Sequence, residues 1–419
     1  MERISSVGFS TIFLAIICIG IVLIIAFPPF QALFSSSAVF SIGLLALWIF
    51  ITFMRNPEFY LKLDVKTIVF VFLTYIFIIT YFGGNPVLGN RYLGLASLYL
   101  IKTIYDYNRK YIPLLNRFLV KIIFVITLIT LSITTYSLLV NPFISRSIKS
   151  SGEYTRQLSS NGIGGYSFIY SMVILFPIVF FLAINGKRGK NRFLLLIFSG
   201  MIVFLIVLSN YFTAFFCMII SLVTILFFGR TDNKNKYAKF YILVMLSLLI
   251  GLFHKSILSW ILEGMIHVLP DSLTQLRLKE LQSTLNQFNQ IKIATPRWDL
   301  MMVSIKTFLD NPVFGLSLSR NRDLFDATIS SGQHSFLIDS FAYLGILLGL
   351  IQIIILYKPL MIQFKCKKSR TLVAVVLINF SIIAILNNLT NSIGLFIYFI
   401  LPFFIDKIEL EKSGRKGII

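Results

Sequence analysis

Two stretches of the chain gather side chains able to hold an anion and move a proton. Arg297, Arg320, Arg322 and His334 precede one long apolar run; Tyr154, Arg156 and the segment Asn161-Gly162-Ile163-Gly164-Gly165-Tyr166 precede another. A guanidinium offers a planar fork of donors that keeps its charge, so it binds phosphate oxygens in pairs. An imidazole titrates near neutrality and can take a proton from a hydroxyl. The arginines therefore suit an anionic lipid pyrophosphate at the headgroup level, and His334 could take a proton from a sugar hydroxyl. Asp339, five positions further on, is a candidate to orient that imidazole. A single arginine beside an apolar run is ordinarily a headgroup contact and a single histidine a structural residue; clustering argues for chemistry. The close-set glycines let backbone approach a ligand or another helix. No H-E-x-x-H, paired C-x-x-C or P-loop occurs, and Asp323-Leu324-Phe325-Asp326 is too loose for metal, so neither catalytic metal nor cofactor is expected.

The elements that position these residues follow from composition. Of 419 residues, 57% are hydrophobic and only 13% charged, more apolar surface than a soluble core of this size could bury. Peptide groups in lipid must bond within helices or a closed barrel, and continuous apolar runs without period-2 alternation select helices. Runs of spanning length fall near 10–28, 34–54, 67–82, 92–106, 118–140, 166–185, 193–209, 212–228, 240–258, 336–357, 371–388 and 393–406. The fold class is thus an all-α polytopic bundle of about 12 spans. Residues 10–28 are read as an uncleaved first span, because Pro28-Pro29 follows where small cleavage-site residues belong.

The net charge of +21 does not form a nucleic-acid domain, since the basic residues sit in short gaps between apolar runs. Most of the 38 lie in alternate gaps, which puts those gaps and both termini in the cytoplasm by the positive-inside rule. Opposite lie the gaps at 29–33, 83–91 with Arg91, 210–211 and 389–392, a medium loop at 141–165 and a long loop at 259–335. The chain then divides into residues 1–258 with nine spans, the long loop 259–335, and residues 336–419 with three spans and a cytoplasmic tail. Inside the long loop, Leu278, Leu281, Leu285 and Phe288 recur at helical spacing; a second helix covers Arg297 to Leu309 and stops at Asp310-Asn311-Pro312. Cys18, Cys217 and Cys366 offer no pair in an oxidising loop. The spans hold almost no ionisable residue, so the chemistry is expected at the external membrane face.

The succession Arg297-Trp298, Asp310-Asn311-Pro312-Val313-Phe314-Gly315, His334-Ser335-Phe336-Leu337-Ile338-Asp339 and Tyr343-Leu344-Gly345-Ile346-Leu347-Leu348-Gly349 resembles the O-antigen ligase and polymerase superfamily. Arg156 and Gly162-Ile163-Gly164-Gly165-Tyr166 look like its polymerase branch, which builds O-antigen, capsule or exopolysaccharide. The resemblance covers mainly 150–180 and 295–350. It departs at Leu208-Ser209-Asn210-Tyr211, where many members carry a Ser-Arg pair, and at Ser335, where ligases carry Asn.

The resemblance implies a metal-independent glycosyltransferase of GT-C-like architecture in the cytoplasmic (inner) membrane. It would move a growing glycan from an undecaprenyl-pyrophosphate carrier to a lipid-linked repeat unit on the external face. His334 would be catalytic; Arg156, Arg297, Arg320, Arg322, Tyr154 and Arg91 would bind substrate. The implied partners are the undecaprenyl-pyrophosphate-linked oligosaccharide, membrane lipids, a chain-length regulator and a repeat-unit flippase, with no nucleic acid. Two alternatives are a ligase of the same superfamily, which passes a finished glycan to another acceptor, and a lipid-linked sugar transporter or flippase. The latter predicts a charged central cavity and inverted repeats.

Overall fold

The computed structural model describes residues 9–33, 38–60, 86–141, 144–148, 153–186, 189–209, 211–229, 263–264, 266, 275, 279, 296–318 and 334–412. Among them every regular element is helical. The helices are α1 (Phe9–Ala26), α2 (Pro28–Leu33), α3 (Ala38–Arg55), α4 (Pro86–Tyr111), α5 (Pro113–Val140), α6 (Glu153–Ser160), α7 (Tyr166–Asn185), α8 (Lys190–Leu208), α9 (Phe212–Phe228), α10 (Pro296–Asp310), α11 (Phe336–Gln363), α12 (Arg370–Leu386), α13 (Asn391–Leu395) and α14 (Leu401–Lys412). A π-helical turn, Phe396–Ile400, joins the last two. The spans expected at 67–82 and 240–258 and the amphipathic helix near 278–288 lie outside the described residues, apart from Lys279 in a helical turn.

Among the described residues four helices, α5, α7, α8 and α11, are long and apolar enough by length and composition to cross a membrane. Shorter apolar helices form from Thr11–Ala26, Gly43–Arg55, Phe212–Phe228 and Arg370–Leu386. Their outward faces carry Phe50, Phe118, Val125, Leu194 and Phe204, each about half exposed or more, as lipid-facing helices should. The chain is thus an all-helical bundle of membrane-protein type.

The hub is α7, packed by α8, α9, α12 and α13. Its stretch from Phe168 to Val179 is continuously buried. Without a hydrophobic force between helices in lipid, close packing and polar contacts hold such hubs together. Asn379 on α12 supplies one: its Nδ2 donates to Ser221 Oγ on α9 at 2.6 Å and to the Val173 carbonyl on α7 at 3.4 Å.

Several boundaries differ from the hydropathy reading. α4 extends over 26 residues, so Arg91 lies on a helix rather than in a gap, and the basic gap expected between Lys102 and Lys121 shrinks to Ile112. Proline at the first position of α5 needs no amide partner there, which allows the near-continuous junction. The expected gap at 29–33 is the short helix α2.

The largest correction concerns 336–357, expected as one continuous span. α11 breaks at Gly345, whose backbone stands at φ +66°, ψ −172°, a region open essentially to glycine. Gln352 Nε2 donates to Ser340 Oγ at 2.8 Å, although twelve residues of straight helix would part them by about 18 Å. The limb 336–344 therefore folds back against the limb 346–363. The second limb is the apolar helix that pairs with α12, through the Tyr357 to Ser381 hydroxyl contact at 3.1 Å. The first limb begins level with the end of α12, where the Phe336 amide donates to the Asn387 carbonyl at 3.1 Å.

The break is held open by a distant turn. Ile346 N–H donates to the Pro312 carbonyl at 2.8 Å, in place of the carbonyl four residues back that a regular helix would offer. Gly315, at φ +59°, lies so close that a Cβ there would sit 2.5 Å from the Gly345 amide nitrogen. A Cβ on Gly345 would in turn strike the Val313 backbone. The Asp310-Asn311-Pro312-Val313-Phe314-Gly315 segment is thus one half of a backbone-to-backbone lock.

Candidate functional site

At one end of the bundle a cavity of about 380 Å³ opens between five chain segments, one of them contributing Ile148. The end of α1 with α2 contributes Ala26, Pro28 and Gln31; the run into α7 contributes Ile163, Gly165, Tyr166, Ser167 and Phe168. His334 enters just before α11, and Asn387, Asn388, Thr390 and Ser392 come from the α12 to α13 connection. These segments all belong to gaps that the charge pattern assigns to one side. The other bundle end joins basic gaps: Asn56 bonds Tyr107 at 2.7 Å, Arg109 pairs with Asp406 at 2.9 Å, and Asn185 Nδ2 reaches the Gly229 carbonyl at 2.9 Å.

Local sequence explains how each wall is set. α6 ends in a left-handed turn at Gly162, φ +82°, with Ile163 N–H reaching back to the Leu158 carbonyl at 3.2 Å and Gly162 N–H to Ser159 at 2.9 Å. The chain then runs extended to α7, pinned where the Gly164 amide donates to Thr134 Oγ1 at 2.8 Å. The close approach expected of this glycine segment is therefore made to protein: a Cβ on Gly165 would lie 2.6 Å from Ile148. The Tyr166 ring packs at a tilt against Tyr170, centroids 4.6 Å apart, and edge-to-face with Tyr211 at 5.9 Å. Tyr211, just before α9, supplies an aromatic ring to this cluster.

His334 is half-buried and lines the cavity directly. Ser335, fully buried, caps α11 by accepting from the Ile338 amide at 3.1 Å. Asp339, five positions after His334, has a partner on another helix. It has no exposed surface, and its Oδ1 accepts from Ser304 Oγ on α10 at 2.6 Å, so it ties α10 to the start of α11.

That tie also locates Arg297. Ser304 meets Asp339, Phe308 packs on Phe341 at 5.8 Å, and Pro312 meets Ile346, so α10 and the first limb of α11 run parallel. Arg297, the second residue of α10, therefore lies at the same end of this pair as His334, about 10 Å of helix before Ser304. Arg156 is exposed on α6, one turn before the cavity residue Ser159. Tyr154, 56% exposed on the same helix, does not line the cavity. Arg91 is on the first turns of α4, and Arg320 and Arg322 lie outside the described residues.

The sequence reading missed Gln31, Asn387, Asn388 and Thr390. Their signal was the amide-rich Asn387-Asn388-Leu389-Thr390-Asn391-Ser392 between two apolar runs. Among the described lining residues there is no carboxylate, lysine or arginine, so this wall is polar but uncharged apart from the titratable His334. A second cavity of about 270 Å³ shares Gln31, Ser167, Thr390 and Ser392 with the first. Its other wall is mostly aliphatic: Ile21, Ile24, Ile25 and Leu45. Among the described residues no three of His, Cys, Asp and Glu cluster closely enough to hold a metal ion.

Fold and site together define a helical membrane-type bundle with an amphiphilic double cavity at one end. No protein-family model matches the sequence, and comparison with curated proteins finds no match.

Proposed function

We propose that the protein is a metal-independent membrane glycosyltransferase that lengthens a lipid-linked glycan, a polysaccharide polymerase in the sense of the superfamily its motifs resemble. The observation that carries this reading is the meeting of His334 with the Gly165-Tyr166 segment and an amide-rich wall, directly beside an aliphatic cavity. A polar chamber adjoining an apolar one matches a sugar attached to a polyprenyl chain. The full arrangement has about 12 spans with both termini cytoplasmic and the double cavity at the external face.

In the proposed reaction an acceptor hydroxyl attacks the anomeric carbon of the donor glycan, and the bond from that carbon to the pyrophosphate oxygen breaks. His334 takes the hydroxyl proton. The departing diphosphate gathers negative charge, which fixed cationic donors stabilise in the transition state. Arg156 at the cavity edge and Arg297 at the head of α10 are assigned that role, with Arg320 and Arg322 contacting the anionic carrier.

The test is incubation of purified protein with a defined lipid-linked repeat unit, reading lipid-linked products by length. A ladder rising by whole repeat units is expected, and His334→Ala should lower its rate by about 100-fold or more at equal folded abundance. Unchanged substrate with a folded preparation, or a full-rate ladder from the His334→Ala protein, overturns the reading.

A further inference from the structure

Asn387 lines the cavity, is only 4% exposed, and belongs to none of the roles assigned above. Its backbone is fully engaged, N–H to the Ile383 carbonyl at 2.8 Å and carbonyl to the Phe336 amide at 3.1 Å. Its side chain is not: among the described residues Nδ2 is buried without a hydrogen-bond partner. The hydroxyl of Thr390, on the same wall three positions later, is in the same condition. A buried donor left unmatched destabilises a fold, and native proteins retain few of them. Two on one cavity wall, within one turn of chain, mark a place that something else completes.

We infer that Asn387 and Thr390 form a subsite for an uncharged sugar unit, the amide and the hydroxyl taking the ring hydroxyls of a neutral hexose or N-acetylhexosamine. The inference rests on the glycan reading of the cavity and names the part of the substrate bound there. Three observations select the ligand class. Among the described lining residues there is no lysine or arginine to meet a diphosphate or a uronic acid. An amide and a hydroxyl both donate and accept, as sugar hydroxyls do. Tyr166, which lines the same cavity, offers an aromatic surface for the apolar face of a pyranose. The terminal amide torsion has a broad well, so Asn387 can turn its nitrogen to an entering hydroxyl at little cost. Thr390 also borders the aliphatic cavity, which puts this subsite at the junction between glycan and lipid chain.

Saturation-transfer NMR on the full chain in nanodiscs tests this without relying on catalysis. The probes are the methyl glycosides of glucose, galactose, mannose and N-acetylglucosamine, with methyl glucuronide and inorganic pyrophosphate as charged competitors. At least one neutral glycoside is expected to receive saturation, with the signal falling at least fivefold in Asn387→Leu and in Thr390→Val. The charged probes should not displace it. Unfolding is followed in parallel with a thiol-reactive dye that reports exposure of the buried Cys18 and Cys217. Asn387→Leu removes an unmatched donor, so its melting temperature should hold or rise, whereas a merely structural asparagine would lose stability.

Binding of no neutral glycoside, binding unaltered by both substitutions, displacement by pyrophosphate, or a lowered melting temperature in both variants overturns the subsite. Glycoside binding without product ladders would leave the subsite standing and remove the transferase reading. Ladders without glycoside binding would do the reverse.

Discussion

A carboxylate with no exposed surface needs a donor, and Asp339 finds one in Ser304, 35 positions earlier in the chain. The hydroxyl donates to a buried carboxylate oxygen, so the pair fastens the helix bearing Arg297 to the helix that follows His334. Removing either member leaves the other buried without this match, which typically costs about 1–3 kcal/mol for the carboxylate side and about 1 kcal/mol for the hydroxyl side. Ser304→Ala and Asp339→Ala should each lower the melting temperature in detergent, Ser304→Ala more so, because it leaves the carboxylate without this donor. The double substitution should fall short of the summed losses by about 1 kcal/mol, because both single variants break the same bond. Strictly additive losses would show that the bond contributes nothing to holding α10.

Among elements, α11 shows how far a sequence can be read and where reading stops. The helices α1, α5, α7, α8, α9 and α12 match the apolar runs to within a few residues, because hydropathy is a local property and lipid rewards it wherever it occurs. The helix over Arg297 to Leu309 also forms, as Pro296–Asp310, and ends at the expected proline turn. The break at Gly345 was not legible. Hydropathy runs unbroken through 336–357, and the acceptors that replace the missing helical bonds come from Pro312 and Val313, more than thirty residues away. The site divides likewise. His334 and Tyr166 stood out by type, whereas Asn387 reads as an ordinary polar turn until the fold shows which loops meet. The lock gives its own prediction. Gly345→Ala puts a side chain where φ and ψ admit only glycine and where Val313 already stands, at a cost of at least about 1–3 kcal/mol. Gly315→Ala should behave alike. Gly200→Ala on α8 is the control, since a Cβ there meets nothing within 4 Å and alanine favours a helix by about 1 kcal/mol. Size-exclusion profiles after stepwise heating should show both lock variants collapsing at lower temperature than the parent and the control matching or exceeding it. Indifference to Gly345→Ala would mean that α11 does not fold back.

At the scale of the whole molecule, the bundle has two chemically different ends. One gathers the cavity, with exposed Arg156 on α6 and exposed Asn388 after α12. The other gathers the basic connections, with exposed Glu58 after α3 and partly exposed Cys366 between α11 and α12. Most lysines and arginines lie in gaps of the second kind, and a short basic loop resists translocation, so the cavity end should face outward. A membrane-impermeant maleimide decides this in intact cells. With Cys366 replaced by serine, Asn388→Cys and Arg156→Cys should label without permeabilisation, while Glu58→Cys should label only once the membrane is opened. The parent's own Cys366 should follow the Glu58→Cys pattern. The consequence for function is direct. Glycan transfer on the external face needs the lipid-linked substrate, the cavity and Arg156 on one side, so labelling of Glu58→Cys from outside would put the double cavity in the cytoplasm. The cavity would then meet only lipid-linked sugars that have not yet been flipped, and polymerisation at the outer surface could not be its task.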